Sequence, residues 1–258
     1  MMCLAKGGLV KYASGLSRTF STRETYSYVY GDHIKQKTYH DNREMEITMT
    51  YPAEHADTSA ICRKMIGRNM LASPVTYDHN ALYSNSKIPV ENYKTTYAEY
   101  TVNGKTMILP SIYHQKYKGK YEAMAKVLHY SEYGKPLEIV NLKTGIHTSY
   151  LWDDSGRYMT VEAKNVTKAE LESAAASVAG SGMEKLNKIR DILPDAEICT
   201  WSYIPHVGVS RFTDKDGHIT GYEYDGLGRL VREVVYKDNV VSESNRQIVK
   251  SYGYEYKN

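Results

Sequence analysis

Asp153 and Asp154, together with Asp214 and Asp216, are the residues of this 258-residue sequence whose types and spacing come nearest to a reaction centre. Paired carboxyl groups can divide acid, base and nucleophile roles across a glycosidic bond, and 25 tyrosines would offer ring faces for a sugar to stack on. Each of these acids nevertheless lies in or beside a turn-like stretch, Asp153-Asp-Ser-Gly156 or Asp214-Lys-Asp-Gly217. Asp is favoured there because its carboxylate hydrogen-bonds to nearby backbone. Turn construction is therefore the preferred reading, with carbohydrate binding or glycan processing on a Tyr-rich sheet surface as the alternative.

Other chemistry is sparse. The nine histidines are scattered, with no His-Glu-x-x-His pattern to hold a metal. Asp214 to Gly217 resembles the start of a calcium loop but lacks its later acidic ligands. Gly7, Gly8 and Gly15 lack the Gly-Lys-Ser/Thr end of a phosphate loop. Cys3, Cys62 and Cys199 are too few and too far apart for a zinc site or a disulfide scaffold; one disulfide stays open, with ordinary thiols preferred. The expectation is no enzyme, no catalytic, cofactor-binding or metal residue, and no cofactor.

Thirty-three Lys and Arg against 30 Asp and Glu give a formal charge of +3 with both signs mixed. Glu223, Asp225 and Glu233 dilute the positive charge of Arg229 and Arg232, so no nucleic-acid partner is expected. No stretch is long and apolar enough for a membrane-spanning segment. The first ten residues lack a basic segment followed by an apolar one, and read as no signal peptide.

The elements that must position these residues are mostly strands. Only 2 Phe and 2 Trp accompany the 25 Tyr. That balance suits a half-exposed sheet, where the ring packs and the hydroxyl reaches water. Alternation at Thr25–Tyr30 and Met45–Met49 has strand period, and Pro52 helps to end the run. Ile61 with Met65 and Cys62 with Ile66 predict a short amphipathic helix near 57–70, capped by Asp57 and weakened at Gly67. Asn103-Gly104 between two strand-like runs is a strong two-residue hairpin signal.

Near 167–193 a helical insertion interrupts the strands. Thr167 with Glu170 and Ser181 with Glu184 read as two capping boxes, and Gly180 and Gly182 separate two helices. Met183, Leu186, Ile189 and Leu193 line one face of the second before Pro194 stops it. This Ala-rich stretch reads as an insertion that covers a sheet.

Tyr222-Glu-Tyr-Asp-Gly-Leu-Gly-Arg-Leu230 recurs as Tyr150-Leu-Trp-Asp-Asp-Ser-Gly-Arg-Tyr158 at an offset of 72, which also pairs Gly145 with Gly217. Leu128-His-Tyr-Ser-Glu-Tyr-Gly-Lys-Pro136 precedes the latter by 22, and Trp201-Ser-Tyr203 precedes Tyr222 by 21. The unit is thus 21 or 22 residues, with the insertion lengthening the larger offset. Asp216-Gly217 and Asp225-Gly-Leu-Gly228 are expected to turn one strand into the next. Arg229 is placed to stack over a tyrosine or to pair with Asp225. A single hairpin of this size is unstable, and stacking many is the usual solution.

Tyr222-Glu-Tyr-Asp225 followed by Gly228-Arg-Leu230 resembles the tyrosine-aspartate (YD) repeat of the RHS repeat family, and the other copies resemble degenerate repeats. The segment from Leu193 to Gly217 is similar to a stretch of long surface or secreted RHS-like proteins of Bacteroidetes. The resemblance implies a mainly β fold of consecutive antiparallel β-hairpins forming a curved β-strip, with short helical insertions. Residues 1–124 would be a degenerate β-rich region and 125–258 the repeat region. It further implies a non-catalytic structural or interaction module of a larger protein, surface-associated or shell-forming, in an extracellular or cell-surface setting. Its partners would be the remaining repeats of a longer parent chain or a neighbouring gene product, with self-association through open strand edges. The toxin-bearing pattern is not matched, since no downstream domain and no self-cleavage segment is recognisable. Tyr254-Glu-Tyr-Lys-Asn258 reads as a repeat that stops before its Gly-Arg-Leu.

Overall fold

The computed structural model describes the backbone of residues 2–11, 17–26, 35–40, 43–83, 86–237 and 240–254, and side chains from residue 45 onward within these ranges. The expected strand at Thr25–Tyr30 thus runs into residues outside the described ones, as do the Cys3 side chain and the last four residues of the chain. The described residues form mainly antiparallel sheet with a few short helices, in two compact units, 1–126 and 127–258.

In the first unit β1 (Met2–Lys11) pairs with β2 (Ser17–Tyr26). A run of sequential antiparallel neighbours follows: β3 (Lys35–His40), β4 (Arg43–Thr50), β5 (Thr76–Tyr83), β6 (Ser86–Val102), β7 (Lys105–Tyr117) and the start of β8 (Lys120–Tyr130). The Asn103-Gly104 hairpin forms as its sequence dictates, with φ of 50° and 75° at the two central residues and Val102 opposite Lys105. Between β4 and β5 a 3-10 helix (Pro52–His55) precedes α1 (Ala60–Gly67). The cap of α1 is Ser59, whose side chain accepts the Cys62 N–H, not Asp57. Turn bonds from Thr58 N and Ser59 N to His55 O occupy the chain before Ser59, so the helix starts later than a cap at Asp57 would place it. Met65 and Cys62 are its buried contacts.

Alternation in β4 places a polar side chain inward. Glu46 is 1 % exposed, faces Asn80 across the sheet and is ion-paired with Lys87. Asn80 and Asn92 are buried and hydrogen-bonded on neighbouring strands. A buried acid is tolerated only when paired, and Lys87 supplies the charge while its own head stays largely exposed.

The second unit continues from the end of β8 through β9 (Pro136–Asn141), β10 (His147–Trp152) and β11 (Met159–Lys164). Helices α2 (Lys168–Ser177), α3 (Gly182–Asn187) and α4 (Ile189–Ile192) come next. Then follow β12 (Glu197–Ile204), β13 (Gly208–Thr213), β14 (Ile219–Tyr224), β15 (Leu230–Tyr236) and β16 (Arg246–Ser251), each strand antiparallel to its sequence neighbour. The helices do cover the sheet. Val161, Ala163 and Ile198 on the strands and Leu171, Ala174 and Ile189 on the helices form one buried cluster. The Thr167–Glu170 capping box is present, whereas Ser181 makes no side-chain cap. The second helix is also not continuous: it breaks at Lys188, so Ile189 enters the core from α4.

Candidate functional site

Turns at alternate ends of β-strands 8 to 16 hold the four aspartates that came nearest to a reaction centre, Asp153, Asp154, Asp214 and Asp216. At one end lie the turns led by Ser131, Asp153, Ile204 and Asp225; at the other lie those led by Asn141 and Asp214. The repeat is therefore two strands, and the offset of 72 contains two such units, one of them lengthened by the helices.

Four turns follow one hydrogen-bond plan. Gly134, Gly156, Gly217 and Gly228 donate to the carbonyls of Ser131, Asp153, Asp214 and Asp225, each three residues earlier. The leading side chain accepts backbone N–H groups two to five residues later. Asp153 Oδ1 takes Arg157 and Tyr158, Asp214 Oδ1 takes Asp216 and His218, and Asp225 Oδ1 takes Leu227 and Arg229. Ser131 Oγ takes Lys135 in the same way. Asp214, not Asp216, is thus the residue that builds its turn. Gly156 and Gly228 have φ of 66° and 75°, which a side chain resists. At Gly156 the constraint is doubled, because an added Cβ would lie 2.9 Å from Tyr133 Cβ and closer still to its ring.

These bonds set the acidity of the carboxyls. For Asp153 and Asp214 partial burial acts upward but is outweighed by the donated hydrogen bonds, and both sit below the ordinary value of 3.8. Asp225 is lowered chiefly by the Arg229 side chain and its backbone N–H. A general acid in glycoside hydrolysis needs the opposite shift from that of Asp153, Asp214 and Asp225.

The aromatic before each turn has a second task. A register shift lies between Leu151 and Trp152, between Ser202 and Tyr203, and between Glu223 and Tyr224. Such a bulge re-aims the next side chain. Each ring then donates to a carbonyl near the start of the strand that leaves the previous turn at the same end. Trp152 Nε1 reaches Pro136 O at 2.9 Å, Tyr203 Oη reaches Met159 O at 2.8 Å and Tyr224 Oη reaches Val209 O at 2.8 Å. Tyr254 Oη repeats the contact on Leu230 O at 2.8 Å. The phenols of Tyr203 and Tyr224 are pushed up, mainly by burial, and remain donors. These hydroxyls tie consecutive repeats, while elsewhere Tyr83 and Tyr117 are exposed on the sheet.

In two of these turns the basic residue that follows lies over one of these rings. Arg229 is 4.5 Å from the Tyr254 centroid while its guanidinium also pairs with Asp225, and Lys135 is 5.3 Å from Trp152. Where the turn is led by Ile204, no side-chain acceptor is available. Tyr158 from the preceding turn accepts the His206 N–H at 3.1 Å and stacks on Tyr203 at 4.7 Å. Arg232 and Arg246 are both paired with Glu223, so these cations are engaged within the sheet.

Asp214, Asp216 and His218 bring possible metal-binding atoms within 4.8 Å of one another. Asp214 Oδ1 already serves two backbone donors and Oδ2 faces His218 Nδ1 at 3.3 Å, so the group has the geometry of its turn. Elsewhere, buried Glu138 lies between His147 at 2.5 Å and His129 at 3.7 Å. Their sequence spacing gave no hint of that grouping, because three adjacent strands bring it together. Among the described residues no helix is long and apolar enough to cross a membrane. Cys62 and Cys199 are free thiols.

No family model matches the sequence, and no curated protein matches it. Among solved structures, the chain has a likeness to the Photorhabdus luminescens Tc holotoxin pore carrying a TccC3 mutation. That likeness has 11% identity and a TM-score of 0.37, over 91% of this chain and 12% of that one. A structure of TcdB2-TccC3 without its hypervariable C-terminal region gives 10% identity and a TM-score of 0.19, over 91% and 15%. The chain thus spans less than a fifth of the length of either, and scores this low assign neither fold nor function.

Proposed function

We propose that the chain is a non-catalytic structural module, a stretch of YD-type repeats that works by adding hairpins to a larger β assembly. The observation that carries this reading is the tie between repeats: a bulge, an aromatic donor and the strand-start carbonyl of the preceding unit. It spends tyrosine and aspartate on architecture. In the same reading the sheet curves into a strip, the setting is extracellular or at a cell surface, and the partners are further repeats of the same kind.

β16 is the natural point of addition. It pairs with β15 on one side and, among the described strands, with none on the other. Ile248 and Val249 on it are 49% and 50% exposed. Leu227, at the apex of the last turn, is 71% exposed, and Tyr133, which packs against the next turn at Gly156, is 52% exposed. An open strand edge is a template for another strand. Sedimentation velocity from micromolar to high micromolar concentration tests this. The chain should associate as concentration rises, and Val249→Lys should shift it toward monomer. A wild-type monomer at every concentration would overturn the reading.

A further inference from the structure

A groove of about 390 Å³ lies in the second unit, lined by residues of α3, β13 and β14 and by residues 240–241. Its walls are largely apolar: Met183 on α3, Ile219 on β14, and Val240 and Val241 beyond β15. Arg211 on β13 also lines it. Cross-strand register puts Arg211 beside Ser202, whose hydroxyl contacts Met183 Sδ at 3.6 Å, so its side chain leaves the sheet on the helix-covered face.

Four other arginines around this sheet have partners. Arg190 donates to the carbonyls of Ile198, Thr213 and Asp214; Arg229, Arg232 and Arg246 pair with Asp225 and Glu223. Arg211 is half-buried and has no carboxylate partner among the described residues. A guanidinium at the mouth of a groove with apolar walls is placed to receive an anionic group. Lys188 adds a second cation at the rim and Glu184 one negative charge, so the lining is net positive. The volume falls within the roughly 300–1,000 Å³ usual for small-molecule sites, which combine apolar walls with a few fixed polar groups.

We infer that this groove binds a small amphiphilic carboxylate. Its anionic head pairs with Arg211, whose planar fork matches a carboxylate, and with Lys188. Its apolar body lies against Met183, Ile219 and the two valines. The inference does not depend on strand addition at β16, which involves other residues.

Isothermal titration of the full chain with 1-naphthoate tests it, with uncharged 1-naphthamide as the matched control. Saturable one-to-one binding of the acid is expected, at least tenfold tighter than the amide and at least tenfold weaker in a folded Arg211→Met variant. Arg211→Lys should lose less than the Met variant. Absence of saturable binding, equal binding of acid and amide to the wild-type chain, or unchanged affinity in Arg211→Met would each overturn the inference. The amide comparison needs no variant and stands even if Arg211→Met does not fold.

Discussion

Gly156 meets two demands that can be separated by mutation. Its φ of 66° is costly for any residue with a side chain, and the Tyr133 ring occupies the place a Cβ would take. Gly104 has φ of 75° but open space around it. Gly156→Ala should therefore cost about 2–4 kcal/mol in urea unfolding, against about 1 kcal/mol for Gly104→Ala. Adding Tyr133→Ala to Gly156→Ala should cost less than the sum of the two singles, because the clash is relieved while the backbone strain stays. Equal costs at the two glycines would mean that the Tyr133 contact contributes nothing. The turn carboxylates were visible in the sequence as turn residues, since Asx–backbone bonding is local. Asp214 was not distinguished from Asp216, because either could lead a turn of that composition and only the strand ends decide.

At the level of elements, local signals were legible and long-range ones were not. Asn103-Gly104 and the Thr167 capping box declare themselves within a few residues, and both form. Asp57 and Ser181 carry equally good cap chemistry, but Asp57 lies two residues before the actual cap Ser59, and Ser181 sits at its N-cap position without a side-chain hydrogen bond. Thr167→Ala and Ser59→Ala should each lower stability by about 1 kcal/mol, while Ser181→Ala and Asp57→Ala should stay within about 0.5 kcal/mol, as read by denaturant midpoints. The inward Glu46 was illegible because its burial depends on Lys87, 41 residues away. The bond from Tyr203 to Met159 was hidden by the helices inserted between them.

For the whole molecule, the turn carboxylates and His55 give stability a common pH trend. Asp153, Asp214 and Asp225 titrate below the ordinary 3.8 when folded. Their contribution is complete above that value and is lost as pH falls through the lowered ones. His55 is lowered from 6.5, mainly by burial, so the unfolded chain takes up its proton first and stability begins to decline below that pH. The thermal midpoint should thus fall gently below about pH 6.5 and more steeply below about pH 4; a midpoint that rises on acidification would contradict both shifts. The broader consequence of the repeat is that each two-strand unit is held to the one before it by an aromatic donor, which gives tyrosine a reason to outnumber phenylalanine in such a sheet. The account stands or falls on those ties. Urea unfolding of the Tyr203→Phe, Tyr224→Phe double variant keeps both rings and removes both hydroxyls. About 2 kcal/mol of lost stability is predicted, near 1 kcal/mol for each bond; a midpoint indistinguishable from that of the parent chain would show that the hydroxyls do not hold the repeats together.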